Sequence, residues 1–184
     1  MPHSSLPDNF YDNITPRLHR RIGRELRLAG RVLDLGCGSC ELVRFLAESY
    51  HIHVTGVDIS SDSFPERYPS ASKERVRCIR KDAERLDFMA KESVDAVVTK
   101  MAMHEMEHPG SILREAYRIM RPGGEILIVD FPKDSLAQKI WDENYYRPAE
   151  IGKLLAAAEF HNIRVRLIEQ GQIIWARGFR QPAR

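Results

Sequence analysis

The sequence predicts an α/β fold in which a doubly wound, mostly parallel seven-stranded sheet ends in an antiparallel hairpin. Three observations carry that prediction. Short apolar runs alternate with amphipathic helix patterns through most of the chain, as strand–helix–strand units packed on both faces of one sheet require. Aspartates stand at or just after the ends of the runs, at Asp34, Asp58, Asp82 and Asp130, with a spacing of 24 between each of the first three. Near the C-terminus two alternating runs meet at Gln170-Gly171, a hairpin signal.

Thr15-Pro16 reads as a helix start, an N-cap followed by proline at the first helical position. The helix that follows gathers Leu18, Ile22, Glu25, Leu26 and Ala29 on one side and Arg17, Arg20, Arg21, Arg24 and Arg27 on the other. Arg31 to Leu35 is a short strand that runs into the glycine turn Gly36-Cys37-Gly38, and a helix is expected from about Glu41 to Tyr50. His51 to Val57 reads as the second strand. Ser60 to Ser72, with two prolines and five serines, reads as a loop with one short helix. Strands are expected at Val76–Arg80, at Val94–Thr99, and at Glu125–Val129 after a helix from Ser111 to Met120 that Pro122-Gly123-Gly124 stops. Pro148 opens a helix to about Phe160, and Ile163–Ile168 and Gln172–Arg177 form the hairpin.

Composition narrows the function. A length of 184 residues supports one domain, at roughly 100–200 residues per domain. With 43% hydrophobic and 29% charged residues the chain can bury a core without staples. The apolar run at Ile126–Val129 falls far short of the ~20 residues of a membrane span, and the N-terminal MPHSSLPDNFYDN lacks a signal-peptide pattern. The expectation is a cytoplasmic protein in which three cysteines form no disulfide framework. A net charge of +2 does not by itself argue for a nucleic-acid partner.

Ligands of open α/β sheets bind beyond the carboxyl ends of the strands, where the strand order switches. Gly36 and Gly38 would let a ligand approach the backbone there. A carboxylate at Asp58, ending the second strand, suits both hydroxyls of a ribose. A dinucleotide fingerprint would need a third glycine where this chain has Glu41, and an acid there opposes a pyrophosphate. A cofactor with a positive centre and no phosphate, such as S-adenosylmethionine, tolerates both that acid and the rim of aspartates.

The residues also carry a resemblance. Val32-Leu33-Asp34-Leu35-Gly36-Cys37-Gly38-Ser39-Cys40-Glu41-Leu42 resembles motif I of class I S-adenosylmethionine-dependent methyltransferases. Thr55-Gly56-Val57-Asp58-Ile59-Ser60 resembles their second motif and Lys81-Asp82-Ala83-Glu84-Arg85-Leu86 their third. Ser93 to Val98 followed by Met103-His104, and Leu113 to Gly124, are similar to the fourth strand with its loop and to the helix and turn before the fifth. The subgroup most resembled is the small-molecule type related to quinone-biosynthesis enzymes.

The resemblance implies a Rossmann-like fold with S-adenosyl-L-methionine as cofactor. It puts an N-terminal helical cap over 1–30, a cofactor-binding core over 31–130 and the completion of the sheet over 131–184. It implies that Asp34, Gly36, Cys37 and Gly38 surround the methionine part, with Lys100 nearby. Asp58 would hold the ribose hydroxyls, Ile59 pack on the adenine, and Asp82 and the Ala83 backbone meet its amino group. Many members carry a third glycine where this chain has Cys40. His104, titrating near neutrality in the loop after the fourth strand, is the candidate base, with pocket lining as its alternative role. Phe10, Tyr11, Trp141, Tyr145 and Tyr146 are candidate lid aromatics.

Two other motifs and an arginine stripe point to rival chemistries. Cys37-Gly38-Ser39-Cys40 has the spacing of a dithiol pair, but the aspartate rim would have no role in a redox enzyme. His104-Glu105-Met106-Glu107-His108 matches H-E-x-x-H, yet Pro109-Gly110 follows at once and denies it the helix a zinc site needs. The arginine stripe keeps RNA or protein methylation as an alternative, and a non-catalytic cofactor-binding subunit is another. The expected partner is a small-molecule acceptor, the expected state monomer or homodimer, and no metal is expected.

Overall fold

The computed structural model describes residues 9–68 and 72–183. Residues 1–8 of the N-terminal stretch, 69–71 of the serine-rich segment and Arg184 lie outside the described residues. In chain order the elements are α1 (Phe10–Glu25), β1 (Arg31–Leu35), α2 (Glu41–Tyr50), β2 (His53–Asp58), β3 (Val76–Arg80), β4 (Val94–Lys100), a single 3-10 turn (Met103–Glu105), α3 (Pro109–Ile119), β5 (Met120–Asp130), α4 (Leu136–Trp141), α5 (Pro148–Ala157), β6 (His161–Ile168) and β7 (Ile173–Phe179).

The seven strands are ordered β3-β2-β1-β4-β5-β7-β6. All neighbours are parallel except β7, which runs antiparallel between β5 and β6. The strand order reverses between β1 and β4, so the crevice for a ligand opens beyond the carboxyl ends of those two strands.

Both faces of the central strands are buried, which is why they read as continuous apolar runs and not as alternating ones. Val32, Ala96, Val98, Leu127, Val129 and Trp175 pack under α1, α2 and α4 on one face. Leu33, Leu35, Val97, Ile126, Ile128 and Ala176 pack against α3 and α5 on the other. The edge strand β6 keeps Arg164 and Arg166 exposed, and such charges blunt an edge against pairing with another sheet.

Four elements differ from expectation. Helix α1 begins at Phe10 and carries Pro16 inside it. Buried Phe10, Tyr11 and Ile14 continue the apolar face of Leu18 and Ile22, and that burial outweighs the backbone bond the proline removes. Thr15 is therefore no N-cap, and its hydroxyl donates back to the Tyr11 carbonyl at 2.9 Å. Strand β5 starts at Met120 and bulges through Pro122-Gly123-Gly124, with Gly123 at φ +79. The Gly123 N–H donates to the Arg180 carbonyl and the Arg180 N–H to that of Gly124, so the turn is stitched to the C-terminal segment. Helix α4 had no sequence signal, and the described part of 60–72 contains turns but no helix. No helix among the described residues is long and apolar enough to cross a membrane.

Candidate active site

Beyond the carboxyl ends of β1, β2 and β4 lies a cleft with two lobes. One lobe, of about 250 Å³, is lined by Asp34, Gly38, Glu41 and Lys100 among others. The second, of about 240 Å³, is lined by Ile59, Asp82, Ala83, Met106 and neighbouring residues. Gly36, Asp58, Ala102 and Glu105 line both, so they form the waist of a single elongated cleft. Cys37 lines the first lobe. Every residue expected at the cofactor is thus brought to this one rim. A larger cavity of about 320 Å³, among Arg31, His53, Arg75 and Arg77, lies at the opposite, amino ends of the strands.

The first lobe is organised by charge. Asp34, ending β1, is 2% exposed, and its Oδ1 has no hydrogen-bond partner among the described residues. Burial pushes its carboxyl up to about 7, against the pull of the Lys100 ammonium, and the Asp58 carboxylate adds to the rise. Burial lowers the Lys100 pKa, while Asp34 and Glu41 oppose that shift. Glu41 lines the cleft, where its charge would oppose a pyrophosphate. Burial also drives His19, on α1, down to about 4, with help from Lys100. Neither Glu41 nor His19 was singled out as a ligand in the sequence. Glu41 had a signal, its place in the first turn of α2, whereas His19 had none beyond sitting on a helix.

The two turn glycines do different things. At Gly36 (φ +70) a side chain would collide with Ala102, so this glycine makes room for the loop after β4. At Gly38 (φ +47) nothing lies within 4 Å of the missing side chain, and the backbone is open to the cleft. Its N–H donates to Asp58 Oδ2 at 2.8 Å, while the Ser60 N–H donates to Oδ1 at 3.0 Å. Asp58 is thereby held across the waist with lone pairs to spare. Ile59 is 74% exposed at the rim of the second lobe. Asp82 Oδ1 accepts the Glu84 N–H at 2.9 Å, which braces the far end.

His104 sits on the 3-10 turn just after β4. Its backbone N–H donates to Asp130 Oδ2 at 3.0 Å and its Nδ1 meets Asp130 Oδ1 at 2.8 Å. Its Nε2 lies 3.0 Å from Glu143 Oε2, which also accepts the Tyr145 hydroxyl at 2.9 Å. The imidazole is only 4% exposed and lines neither lobe, although its neighbour Glu105 lines both. Burial works to lower its pKa, but the Asp130 hydrogen bond and charge, with Glu105 and Glu143, raise it above the ordinary value. Asp130, an acid at the end of β5, bonds His104, and Glu143 reaches it from the segment after α4, contacts that join residues far apart in sequence.

Of the lid aromatics, Phe10, Tyr11 and Tyr145 are buried and Trp141 is half-exposed. Tyr11, Trp141 and Tyr145 ring Phe131, at centroid distances of 4.8, 5.2 and 5.5 Å. Tyr146 instead packs on the other face of the sheet. The zinc-like spacing is not a ligand pair, because His108 turns to Glu84 at 2.8 Å. The arginine stripe is divided: Arg17 pairs with Glu169 at 2.9 Å and Arg21 stacks on the Trp175 ring. Cys37 and Cys40 are not bonded to each other. Cys40 forms a disulfide with Cys78 and Cys37 is free, so the three cysteines make one bridge and no framework, set up by proximity that the β1–β2–β3 register creates.

Residues 33–128 match the family model described as "Methyltransferase domain". The chain belongs to that family. Its seven-stranded sheet with a C-terminal antiparallel hairpin is the Rossmann-like fold of the solved methyltransferase structures it superposes on. Phosphoethanolamine N-methyltransferase 1 of Triticum aestivum is 27% identical over 154 residues, covering 76% of this chain and 30% of that protein. A ubiquinone/menaquinone biosynthesis C-methyltransferase of Ruegeria sp. is 30% identical over 120 residues, 61% of this chain and 47% of that protein. This methyltransferase-domain chain therefore matches less than half the length of either relative. The crystal structure of a SAM-dependent methyltransferase from Archaeoglobus fulgidus superposes with a TM-score of 0.75 at 18% identity, covering 92% of this chain and 94% of that one.

The cleft fits the cofactor on its own chemistry. An orphaned, buried carboxylate oxygen at Asp34 is a place for an ammonium group, and Lys100 beside it for a carboxylate. The exposed Ile59 offers an apolar surface to a base at the other end.

Proposed function

We propose that this chain transfers a methyl group from S-adenosylmethionine to a small protic acceptor. In this reading Asp34 and Lys100 hold the two charged ends of the methionine moiety, and Gly38 leaves the backbone clear beside it. Asp58 takes the ribose hydroxyls at the waist, and Ile59, Asp82 and Ala83 take the adenine. When bound, the cofactor supplies a methyl group already activated on a positively charged sulfur. The protein's task is then mainly alignment, which can contribute on the order of 7–11 kcal/mol in favourable cases.

The observation that carries the reading is the pairing of His104 with Asp130 beside the waist of a two-lobed cleft. Asp130 fixes the ring and stabilises its positive form, as an orienting carboxylate does for a general base. Glu143 occupies Nε2 in this arrangement. An acceptor hydroxyl or amine that displaces Glu143 finds Nε2 ready to take its proton and the Tyr145 hydroxyl beside it. The side chain of Glu143 is 47% exposed, so it can leave without disturbing the core.

The test has two arms. Calorimetry with S-adenosylhomocysteine and with NAD should show binding of the first alone, lost in Asp58→Ala. Methyl-labelled cofactor incubated with fractionated cell extract should then label the small-molecule fraction in a His104-dependent way. Label in RNA or protein would transfer the assignment to those acceptors, and binding without any label would make the chain a non-catalytic subunit.

A further inference from the structure

The three cysteines meet at the wall of the first lobe, which Cys37 lines, and the methyl-transfer reading gives their sulfurs no role. Asp34, Gly56 and Cys78 form one cross-strand row over β1, β2 and β3. Because Gly56 has no side chain, the space above it is filled by the Cβ and Sγ of Cys37, which a Cβ at Gly56 would meet at 2.7 Å. Cys40, at the N-cap of α2, turns its sulfur to within 3.9 Å of that of Cys37 and bonds to Cys78. All three sulfurs lie within 4.8 Å of one another. Cys40 is fully buried and Cys37 is 8% exposed. Cys40 also holds a left-handed φ of 60, a conformation that glycine adopts without strain.

We propose that, in its reduced form, the Cys37–Cys40–Cys78 cluster is a binding site for a thiophilic cation of the Cu(I) type. Three sulfurs bound at about 2.3 Å to a shared metal stand roughly 3.8–4.0 Å apart, the separation already present between Cys37 and Cys40. Soft thiolates select such ions. A structural zinc ion wants four protein ligands, whereas no histidine or carboxylate joins these three sulfurs in the grouping formed among the described residues. The charges of Asp34 and Asp58 act on Cys37, and two carboxylates near the sulfurs attract a cation.

The chemistry is reversible and balanced. A phosphine reductant, oxidised to its oxide with oxygen from water, gives two electrons to the Cys40–Cys78 bond, which opens to two thiols. Metal uptake then releases the three thiol protons to solvent. The disulfide and the metal are alternative ways of tying the cofactor loop and α2 to β3. This inference does not depend on the acceptor or on His104.

The test uses the full chain, reduced with a phosphine under argon and titrated with Cu(I), supplied as its acetonitrile complex, against a chromophoric Cu(I) chelator. The expected result is stoichiometric uptake with ultraviolet thiolate-to-copper charge-transfer absorption. Affinity should fall by at least about 100-fold in both Cys40→Gly and Cys78→Ser. Cys40→Gly relieves a left-handed residue and should keep its circular dichroism spectrum, with Cys78→Ser as the independent second variant. The disulfide form should take up no copper. Failure of the reduced chain to hold copper, or variant affinities within about threefold of the parent, would overturn the proposal.

Discussion

Asp130 grips His104 at two points, accepting its backbone N–H on one carboxylate oxygen and meeting Nδ1 with the other. The first contact sets the turn and the second sets the ring, so one buried side chain ties the end of β5 to the loop after β4. The His104 pKa is raised above its unfolded value. Its stabilising contribution is therefore complete below that unfolded value and fades as pH climbs through the raised folded one. Denaturant unfolding of the parent and Asp130→Asn should show the parent ahead by about 1–3 kcal/mol near pH 6, with the gap narrowing toward alkaline pH. A constant gap would mean that the backbone contact alone matters.

Glu143 should prove a much looser partner. It is half-exposed and belongs to the irregular segment between α4 and α5. Glu143→Gln should lower the His104 pKa, read by NMR titration of the ring protons, yet change stability by less than about 1 kcal/mol. A stability loss as large as that of Asp130→Asn would show Glu143 to be a structural clamp, not a displaceable cover.

Asp34 opposes stability, and the proposed function gives it an ammonium group to hold. Its carboxyl is raised to about 7 by burial, so the folded state is penalised progressively as pH rises from the unfolded carboxyl value and fully above that raised pKa. Asp34→Asn should stabilise the ligand-free chain by on the order of 1–3 kcal/mol at pH 8 and by little at pH 4. In the parent, affinity for S-adenosylhomocysteine should climb with pH to about 7 and then level, as Asp34 ionises to receive the ammonium. The variant should bind on the order of 10–100-fold more weakly and show no climb.

Gly36 and Gly38 should separate folding from binding. Gly36→Ala would push into Ala102 at a left-handed φ and should cost about 2–4 kcal/mol in a thermal or urea melt. Gly38→Ala meets nothing in the empty cleft, so its stability loss should stay near 1 kcal/mol while cofactor affinity drops. Equal stability losses would contradict the division of labour between them.

The parts of this chain that were legible in its sequence are those governed by local rules. Helix α2 and strand β3 begin and end where the periodicity places them, because an amphipathic stripe and a β-branched run carry their own signal. The residues proposed for the cofactor gather at one cleft because each group follows the end of a strand. What escaped depends on contacts between segments. Helix α1 runs through Pro16 because Phe10 and Tyr11 are buried, Tyr11 against Phe131 and Trp141 more than a hundred residues away, with its hydroxyl accepting the Ala137 N–H. Glu143 reaches His104 from the irregular segment after α4, and Cys40 meets Cys78 across 38 positions of sequence.

The sign of the charges around the waist bears on turnover. Asp34, Asp58, Glu41 and Glu105 surround Lys100 in one lobe, a neighbourhood richer in negative than in positive groups. In the proposed reaction the donor would enter with a sulfonium charge and leave as a neutral thioether. Such a rim would hold fresh donor more firmly than spent product, so each completed transfer would weaken the grip on what must depart.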